Sequence, residues 1–198
     1  MPEELLPPSE ARLAAARELR RLAALLVGSE RTEAEWAELA AVLAEAAPGE
    51  HAGEAPSAYA AHVDASPPGA STYERHPLTL GTSAAFPEVE LVLEDDHQVV
   101  LGLAFGAAWE GPAGLAHGGF VAAAFDIACS RVASAHLGAC VTRHLRLRYL
   151  RPTPLHRRLE LRAVRGEREG RLLQVEAVLS LDGRATTKAV AEFASLGG

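Results

Sequence analysis

One apolar segment between two groups of strand-like segments constrains the fold more than any other feature of this sequence. From Phe120 to His136 the only formally charged side chains are Asp126 and Arg131, and alanine and larger apolar residues dominate the rest. A helix that is apolar on nearly every side must be covered by other elements of the fold. The segment therefore predicts a central helix, ending near Gly138, that is wrapped by a sheet.

The segments on both sides of this helix alternate apolar and polar residues, as strands do. Before it, PEVELVLE, with Val89, Leu91 and Leu93 on one face, is joined to QVVLGLAFG by a turn short enough for an antiparallel hairpin. After it come four strand-like segments with glycine-containing turns between the last three. This order predicts an α+β fold in which a curved antiparallel sheet wraps around one long central helix.

Residues 1–48 are predicted to form an appended helical hairpin, because a capping residue precedes each of two apolar stripes. Ser9 precedes the first stripe, and Thr32 begins a capping box before the second. Residues 49–77 are rich in proline, glycine, alanine and serine, which predicts a linker before the domain formed by residues 78–198. The hairpin is interpreted as packing onto the domain or a second copy, or alternatively as a lid or partner-binding arm.

The charge distribution and the cysteines narrow the functional classes. The net charge is -7, yet residues 101–198 hold 13 Arg and Lys against 8 Asp and Glu. An acidic protein is not expected to bind nucleic acid, whereas the basic second half suits a small anionic ligand. The N-terminus has no secretory-signal pattern, no apolar run approaches about 18 residues, and the histidine spacings indicate no metal site. With Cys129 and Cys140 read as reduced thiols, we expect a cytoplasmic protein without a membrane span.

Asp126 and the start of the helix are the candidate chemical groups. An unpartnered buried carboxylate is costly, so Asp126 needs a role or a structural partner such as a backbone group or Arg131, although five residues is poor spacing for a helical ion pair. At the helix start, Gly118 and Gly119 leave N–H groups that can stabilise a developing oxyanion, although a Gly-Gly pair is also common in turns.

The spacing between His117 and Asp126 carries a prediction about assembly. The two residues are nine positions apart, about 13 Å along a helix, so they cannot meet at one reacting atom within one chain. An antiparallel second copy of the helix, related by a two-fold axis, would bring them together. This predicts a homodimer with two shared sites.

Together these residues form a pattern that resembles the hotdog-fold acyl-CoA thioesterases. The pattern is G-P-x-G-x-x-H-G-G, an Asp nine residues after the His, a Thr sixteen after the Asp, and a strand ending in Y-x-R-P-x-P-L. It is most similar to the PaaI-like branch and the related mammalian mitochondrial long-chain enzymes, over roughly residues 78–195. The resemblance implies the hotdog fold, hydrolysis of acyl-CoA, a dimer or tetramer with interfacial sites, and no cofactor or metal.

The resemblance also implies roles for individual residues. Asp126 matches the catalytic carboxylate, acting as general base on water or as nucleophile, and Thr142 matches the threonine that orients the carboxylate or the water. Gly119 matches the helix-start residue whose N–H faces the thioester oxygen, and His117 matches the histidine beside that carbonyl. Gly118 is expected to contact the substrate there. The chain departs from the family in its N-terminal helices and in the basic strand RHLRLR.

That basic strand supplies candidate substrate contacts. His144, Arg146 and Arg148 alternate along the strand that holds Thr142, which predicts that they share its face. Arg146, Arg148 and Arg151 are candidates for binding the phosphates of coenzyme A, because guanidinium groups match phosphate geometry. The alternative interpretation is a solvated outer face of the sheet.

Two other functions are considered beside the thioesterase. One is a non-catalytic acyl-CoA-binding hotdog domain whose helical arm signals to a partner, and the other is a hotdog dehydratase or hydratase. The presence of Asp126 and Thr142 favours the hydrolase over the first, and the dehydratase motifs are not found in the sequence.

Overall fold

A computed structural model describes residues 9–28, 30–46 and 83–196 of the chain. The elements are α1 (Glu10–Gly28), α2 (Glu33–Ala46), β1 (Val89–Glu94), β2 (Gln98–Leu103), a 3-10 turn (Ala107–Trp109), α3 (Gly118–Leu137), β3 (Cys140–Tyr149), β4 (Leu159–Glu169), β5 (Leu172–Leu181) and β6 (Arg184–Ser195). The predicted linker, residues 49–77, lies outside the described residues. The division of the chain into residues 1–48, 49–77 and 78–198 stays a prediction.

The six strands form one antiparallel sheet in the order β1-β2-β4-β5-β6-β3. Left-handed residues at Gly170 and at Asp182-Gly183 make the turns that connect β4, β5 and β6, as the sequence predicts. The inner face of the sheet packs against α3, and its most buried side chains include Leu161, Ala163, Leu173, Val175, Leu179, Ala191 and Phe193. The predicted architecture, an antiparallel sheet around one central helix, is confirmed.

Helix α3 is the core of this arrangement. His117 caps its first turn, and Gly138, with a φ of 67°, ends it. The helix is long and apolar enough to suit a membrane span, but 61% of its most apolar 18-residue window is buried inside the fold. Phe125, Ala128 and Ala133 are fully inaccessible to solvent. The apolar composition of α3 therefore reflects its burial by the sheet.

Strand β1 departs from its predicted pattern. The pairing register of β1 with β2 shifts between Leu91 and Leu93, which marks a bulge. Leu91, Val92 and Leu93 are all exposed, at 47%, 51% and 42%. The prediction that alternate residues of β1 share one face is wrong, because the bulge breaks the alternation on this edge strand.

The two N-terminal helices form where the capping residues predict them. The Ser9 hydroxyl accepts a hydrogen bond from the Arg12 N–H at 3.2 Å. Thr32 and Glu35 make the reciprocal bonds of a capping box. Helix α1 packs on the 3-10 turn, where Arg20 donates to the backbone carbonyl of Phe86 at 2.8 Å. Packing of the arm onto the domain is thus confirmed for α1, whereas α2 has no buried residue.

Candidate active site

Asp126 lies midway along α3 on a side of the helix that the sheet leaves partly accessible, and its side chain is half-buried. The Thr142 hydroxyl donates a 2.8 Å hydrogen bond to Asp126 Oδ1. Arg131 instead forms a two-point ion pair with Glu94, with both donor–acceptor distances at 2.7 Å. The alternative in which Arg131 is the partner of Asp126 is therefore wrong, and Thr142 from β3 holds the carboxylate.

Asp126 is close enough to the thiols of Cys129 and Cys140 for its charge to affect their pKa values. Burial, and to a smaller extent the charge of Asp126, raises the pKa of Cys140 to about 11. The same two causes raise the pKa of Cys129. Both cysteines are free thiols, and these pKa shifts keep them protonated and weakly nucleophilic near neutral pH. Among the described residues, no three His, Cys, Asp or Glu side chains converge to hold a metal ion.

The loop before α3 fixes the position of His117. The His117 backbone N–H donates to the Trp109 carbonyl at 2.8 Å. A β-carbon on Gly111 would lie only 2.8 Å from His117 Cα, so this close approach of two backbone segments requires glycine. The first glycine of the G-P-x-G-x-x-H-G-G pattern therefore serves to hold His117 at the helix start.

The His117 ring also occupies one of the N–H groups at the helix start. Its Nδ1 accepts a 3.0 Å hydrogen bond from the Gly119 N–H, so a neutral ring carries its proton on Nε2. The Gly118 N–H has no acceptor within the part of the chain that the structure describes. The open donors are thus the Gly118 N–H and the His117 Nε2–H. The expected contact of the Gly119 N–H with a thioester oxygen stays a prediction that requires the His117 ring to move.

Tyr149 contacts the start of α3, and the sequence alone predicted no role for it. Its hydroxyl donates a 2.8 Å hydrogen bond to the Gly118 carbonyl, and a β-carbon on Gly118 would lie 3.2 Å from that hydroxyl. Strand β3 is therefore bonded to α3 at two points, through Thr142 and through Tyr149. The tyrosine of the Y-x-R-P-x-P-L motif was the available signal.

The basic residues of β3 lie on the opposite face from Thr142. Thr142 pairs with Phe193, which is buried on the inner face, but the register then shifts and His144 pairs with Glu192. The residues that follow, Arg146 and Arg148, accordingly point outward with His144. The prediction that these three residues share the face of Thr142 is wrong, because one extra residue at the bulge reverses the alternation.

Arg151 is placed differently from the other two arginines. It borders a groove of about 420 Å³ that begins at Gly118 and Val121 and is walled by Leu115, Tyr149 and Leu150. Its guanidinium donates to the Ala185 carbonyl at 2.7 Å. Of the three candidate phosphate-binding arginines, Arg151 is the one beside the helix start.

Comparisons with known proteins find thioesterases that are similar to this chain in sequence and in fold. A sequence model described as the thioesterase superfamily matches residues 113–187, which include Asp126 and Thr142. No curated protein matches the chain in sequence. The crystal structure of a thioesterase superfamily protein is 24% identical, with a TM-score of 0.75 over 94% of this chain and 96% of that one.

Two further solved structures each match a little more than half of this chain. The phenylacetic acid degradation protein PaaI of Thermus thermophilus, solved as a mutant, is 26% identical, with a TM-score of 0.52 over 57% of this chain and 96% of that one. A hypothetical thioesterase protein with coenzyme A from Streptococcus pneumoniae is 20% identical, with a TM-score of 0.53 over 56% and 88% of the two chains. The chain therefore has the hotdog fold, and residues 113–187 of it match the thioesterase superfamily model.

Proposed function

We propose that the chain hydrolyses acyl-CoA thioesters to a free acid and coenzyme A, with Asp126 as the general base for water or as the nucleophile. The observation that carries this proposal is the 2.8 Å hydrogen bond from Thr142 to Asp126 on the accessible side of α3. That bond fixes one carboxylate oxygen and leaves the other to meet the substrate or a water molecule. A carboxylate held in this way is prepared for chemistry at the surface of the domain.

The helix start supplies the second part of the chemistry. A thioester carbonyl needs only a polarising donor and a base, because the thiolate is a good leaving group. The open Gly118 N–H and the His117 Nε2–H are donors of this kind, and the positive end of the α3 dipole adds to them. Gly119 would contribute its N–H after the His117 ring turns toward the substrate.

The active unit in this proposal is a homodimer. A tetramer would consist of two such dimers. His117 and Asp126 lie too far apart along α3 to serve one thioester within one chain. The accessible side of α3 carries Gly119, Ala122 and Ala123 next to Asp126, and these small residues allow a second helix to approach closely. Among the strands that the structure describes, β3 is an edge strand, and such an edge can pair with a second copy. Sedimentation that shows an active monomer at assay concentration would contradict this arrangement.

The substrate is proposed to enter along the groove beside Gly118. Its apolar walls suit the alkyl parts of an acyl-CoA, and Arg151 at its border suits the phosphates. The binding of coenzyme A by the Streptococcus pneumoniae relative supports this substrate class. Arg146 and Arg148 are also proposed to contact the phosphates. Because both lie on the outer face, the ligand must extend around the edge of β3 to reach them. The expected cytoplasmic location also stays a proposal.

Release of free thiol from a panel of acyl-CoA substrates tests this function, with Asp126→Asn as the diagnostic variant. We expect the Asn variant to keep its circular dichroism spectrum and to lose at least about a hundredfold in kcat, since a general base contributes that much or more. A folded Asn variant with near-normal turnover would rule out the mechanism. Binding of acyl-CoA by the wild type without thiol release would favour the non-catalytic alternative.

A further inference from the structure

A second cavity, of about 400 Å³, lies where α1 meets the hotdog domain. We name it the α1 pocket and define it by six of its lining residues: Arg17, Arg20, Arg21, Glu88, Trp109 and His156. It shares no lining residue with the groove beside Gly118. None of the residues proposed above to take part in hydrolysis lines this pocket.

The charge in the α1 pocket is strongly positive. Arg17, Arg20 and Arg21 are spaced so that they project from one face of α1. Glu88 is the single carboxylate among the described residues that line the pocket. Arg21 pairs with Glu18 at 2.7 Å, but both side chains are 64% exposed, and an exposed pair of this kind is easily exchanged for a ligand. Three arginines therefore line the cavity with one lining carboxylate, Glu88, while Glu18 pairs with Arg21 beside it.

One wall of the α1 pocket is rigid. Arg20 is only 8% exposed, and it donates to the carbonyls of Phe86 at 2.8 Å and Ser83 at 2.9 Å. Trp109 is 7% exposed, and its indole N–H donates to the Ala85 carbonyl at 3.2 Å. A ligand would meet these groups already in place, so little conformational entropy is lost on that side.

His156 adds a second, independent sign of a binding site. Its φ of 56° lies in the left-handed region, where glycine is the usual residue. Its backbone N–H donates to the Phe105 carbonyl at 2.7 Å, which holds the turn in this conformation. The fold thus accepts backbone strain that places an imidazole, a further potential hydrogen-bond donor, at the wall of a cavity lined by arginines.

We propose that the α1 pocket binds a phosphoryl group, with Arg17 and Arg21 closing on it over the fixed Arg20. Several guanidinium groups match a phosphate better than a single carboxylate, because phosphate offers more acceptor oxygens and more negative charge. The phosphoryl group can belong to a free phosphate compound or to the nucleotide end of coenzyme A. The pocket also adjoins the loop before α3, since the Trp109 carbonyl is the acceptor for the His117 N–H.

Fluorescence of Trp109 tests binding directly. The chain has two tryptophans, so a Trp36→Phe background leaves Trp109 as the only reporter. Inorganic phosphate is titrated into this protein at constant ionic strength, with chloride as the replaced anion. We expect a saturable change in fluorescence that Arg17→Ala weakens by about tenfold, as loss of a charge-assisted hydrogen bond implies.

Arg12→Ala is the matched control, because it removes the same charge from the same helix at a residue outside the pocket. We expect it to change the phosphate affinity by less than about twofold, because Arg12 is exposed, lies outside the pocket and is screened by salt. An absent saturable response would overturn the proposal. Equal weakening by Arg12→Ala and Arg17→Ala would also overturn it, since that result indicates a general charge effect.

Coenzyme A in the same titration distinguishes the two sources of the phosphoryl group. If the nucleotide end of the substrate occupies the pocket, coenzyme A binds more tightly than inorganic phosphate and Arg17→Ala raises the KM for acyl-CoA. If the ligand is a free phosphate compound, coenzyme A leaves the Trp109 signal unchanged and the KM is retained. The binding signal needs no turnover, so its failure is separable from a failure of the proposed hydrolase activity.

Discussion

The inner face of β3 carries Thr142 and Tyr149, both hydrogen-bonded to α3, whereas the outer face carries His144, Arg146 and Arg148, all exposed to solvent. One bulge separates the two sets, since the register with β6 shifts between Thr142 and His144. The residues that position the proposed catalytic groups are therefore uncharged and face inward. The positive charge of β3 therefore lies on the face opposite to Thr142 and Tyr149.

The largest difference between the two faces is expected for Thr142→Val, which keeps the shape of the side chain and removes the hydroxyl. The Asp126 carboxylate then loses a charge-assisted bond, so we expect kcat to fall by roughly tenfold to a hundredfold with little change in KM. His144→Ala on the outer face is the control and should keep the wild-type kcat. Steady-state kinetics on one acyl-CoA measure kcat for both variants. If kcat falls as much in His144→Ala as in Thr142→Val, the two faces of β3 do not differ in function.

The sequence predicted much of this architecture because its signals are local. Capping residues placed α1 and α2, glycine turns placed the hairpins, and the charge-poor segment placed α3. The spacing between Asp126 and Thr142 in the family pattern also anticipated their contact.

The sequence did not reveal the bulge in β3, and the reason is physical. VTRHLRLRY contains no glycine or proline to mark a change of register, and the three polar residues Thr142, Arg143 and His144 are the only interruption of its alternation. The bulge arises from pairing with β6, more than 40 residues later along the chain. The wrong prediction that His144, Arg146 and Arg148 share the face of Thr142 follows from this one shift. A single extra residue turns every later side chain to the other face.

A smaller effect, on binding alone, is expected for the arginines. Arg151→Ala should raise the KM for acyl-CoA by about tenfold and spare kcat, because Arg151 borders the groove beside Gly118 and a phosphate contact acts on ground-state binding. The paired change Arg146→Ala with Arg148→Ala should raise KM less, since both residues lie on the outer face. Both effects should shrink as salt is added.

An acyl-pantetheine substrate, which lacks the nucleotide, provides the control for the arginine variants. Its KM should be the same for the wild type and for all of these variants. A wild-type KM for acyl-CoA in Arg151→Ala at low salt would remove Arg151 from the proposed site. A larger KM change in the outer-face variant than in Arg151→Ala would show instead that the ligand reaches around the edge of β3.

The smallest effect is expected for Tyr149→Phe, which removes the bond to the Gly118 carbonyl and keeps the ring. Tyr149 is 54% exposed, so the thermal unfolding temperature should change little. A neutral hydrogen bond contributes about 1 kcal/mol, which corresponds to a decrease of roughly fivefold in kcat if the bond positions the Gly118 N–H. An unchanged kcat in the folded variant would show that the hydrogen bond from Tyr149 does not contribute to turnover.

Combining Tyr149→Phe with Thr142→Val then tests whether β3 positions the two ends of the site separately. The two residues are seven positions apart, about 23 Å along an extended strand, so they cannot touch. Separate roles, one at the base and one at the polarising end, require the decreases in kcat of the two single variants to multiply in the double variant. If the double variant is no slower than Thr142→Val alone, the two effects are not independent. Both hydrogen bonds then act by fixing the same position of α3 relative to β3.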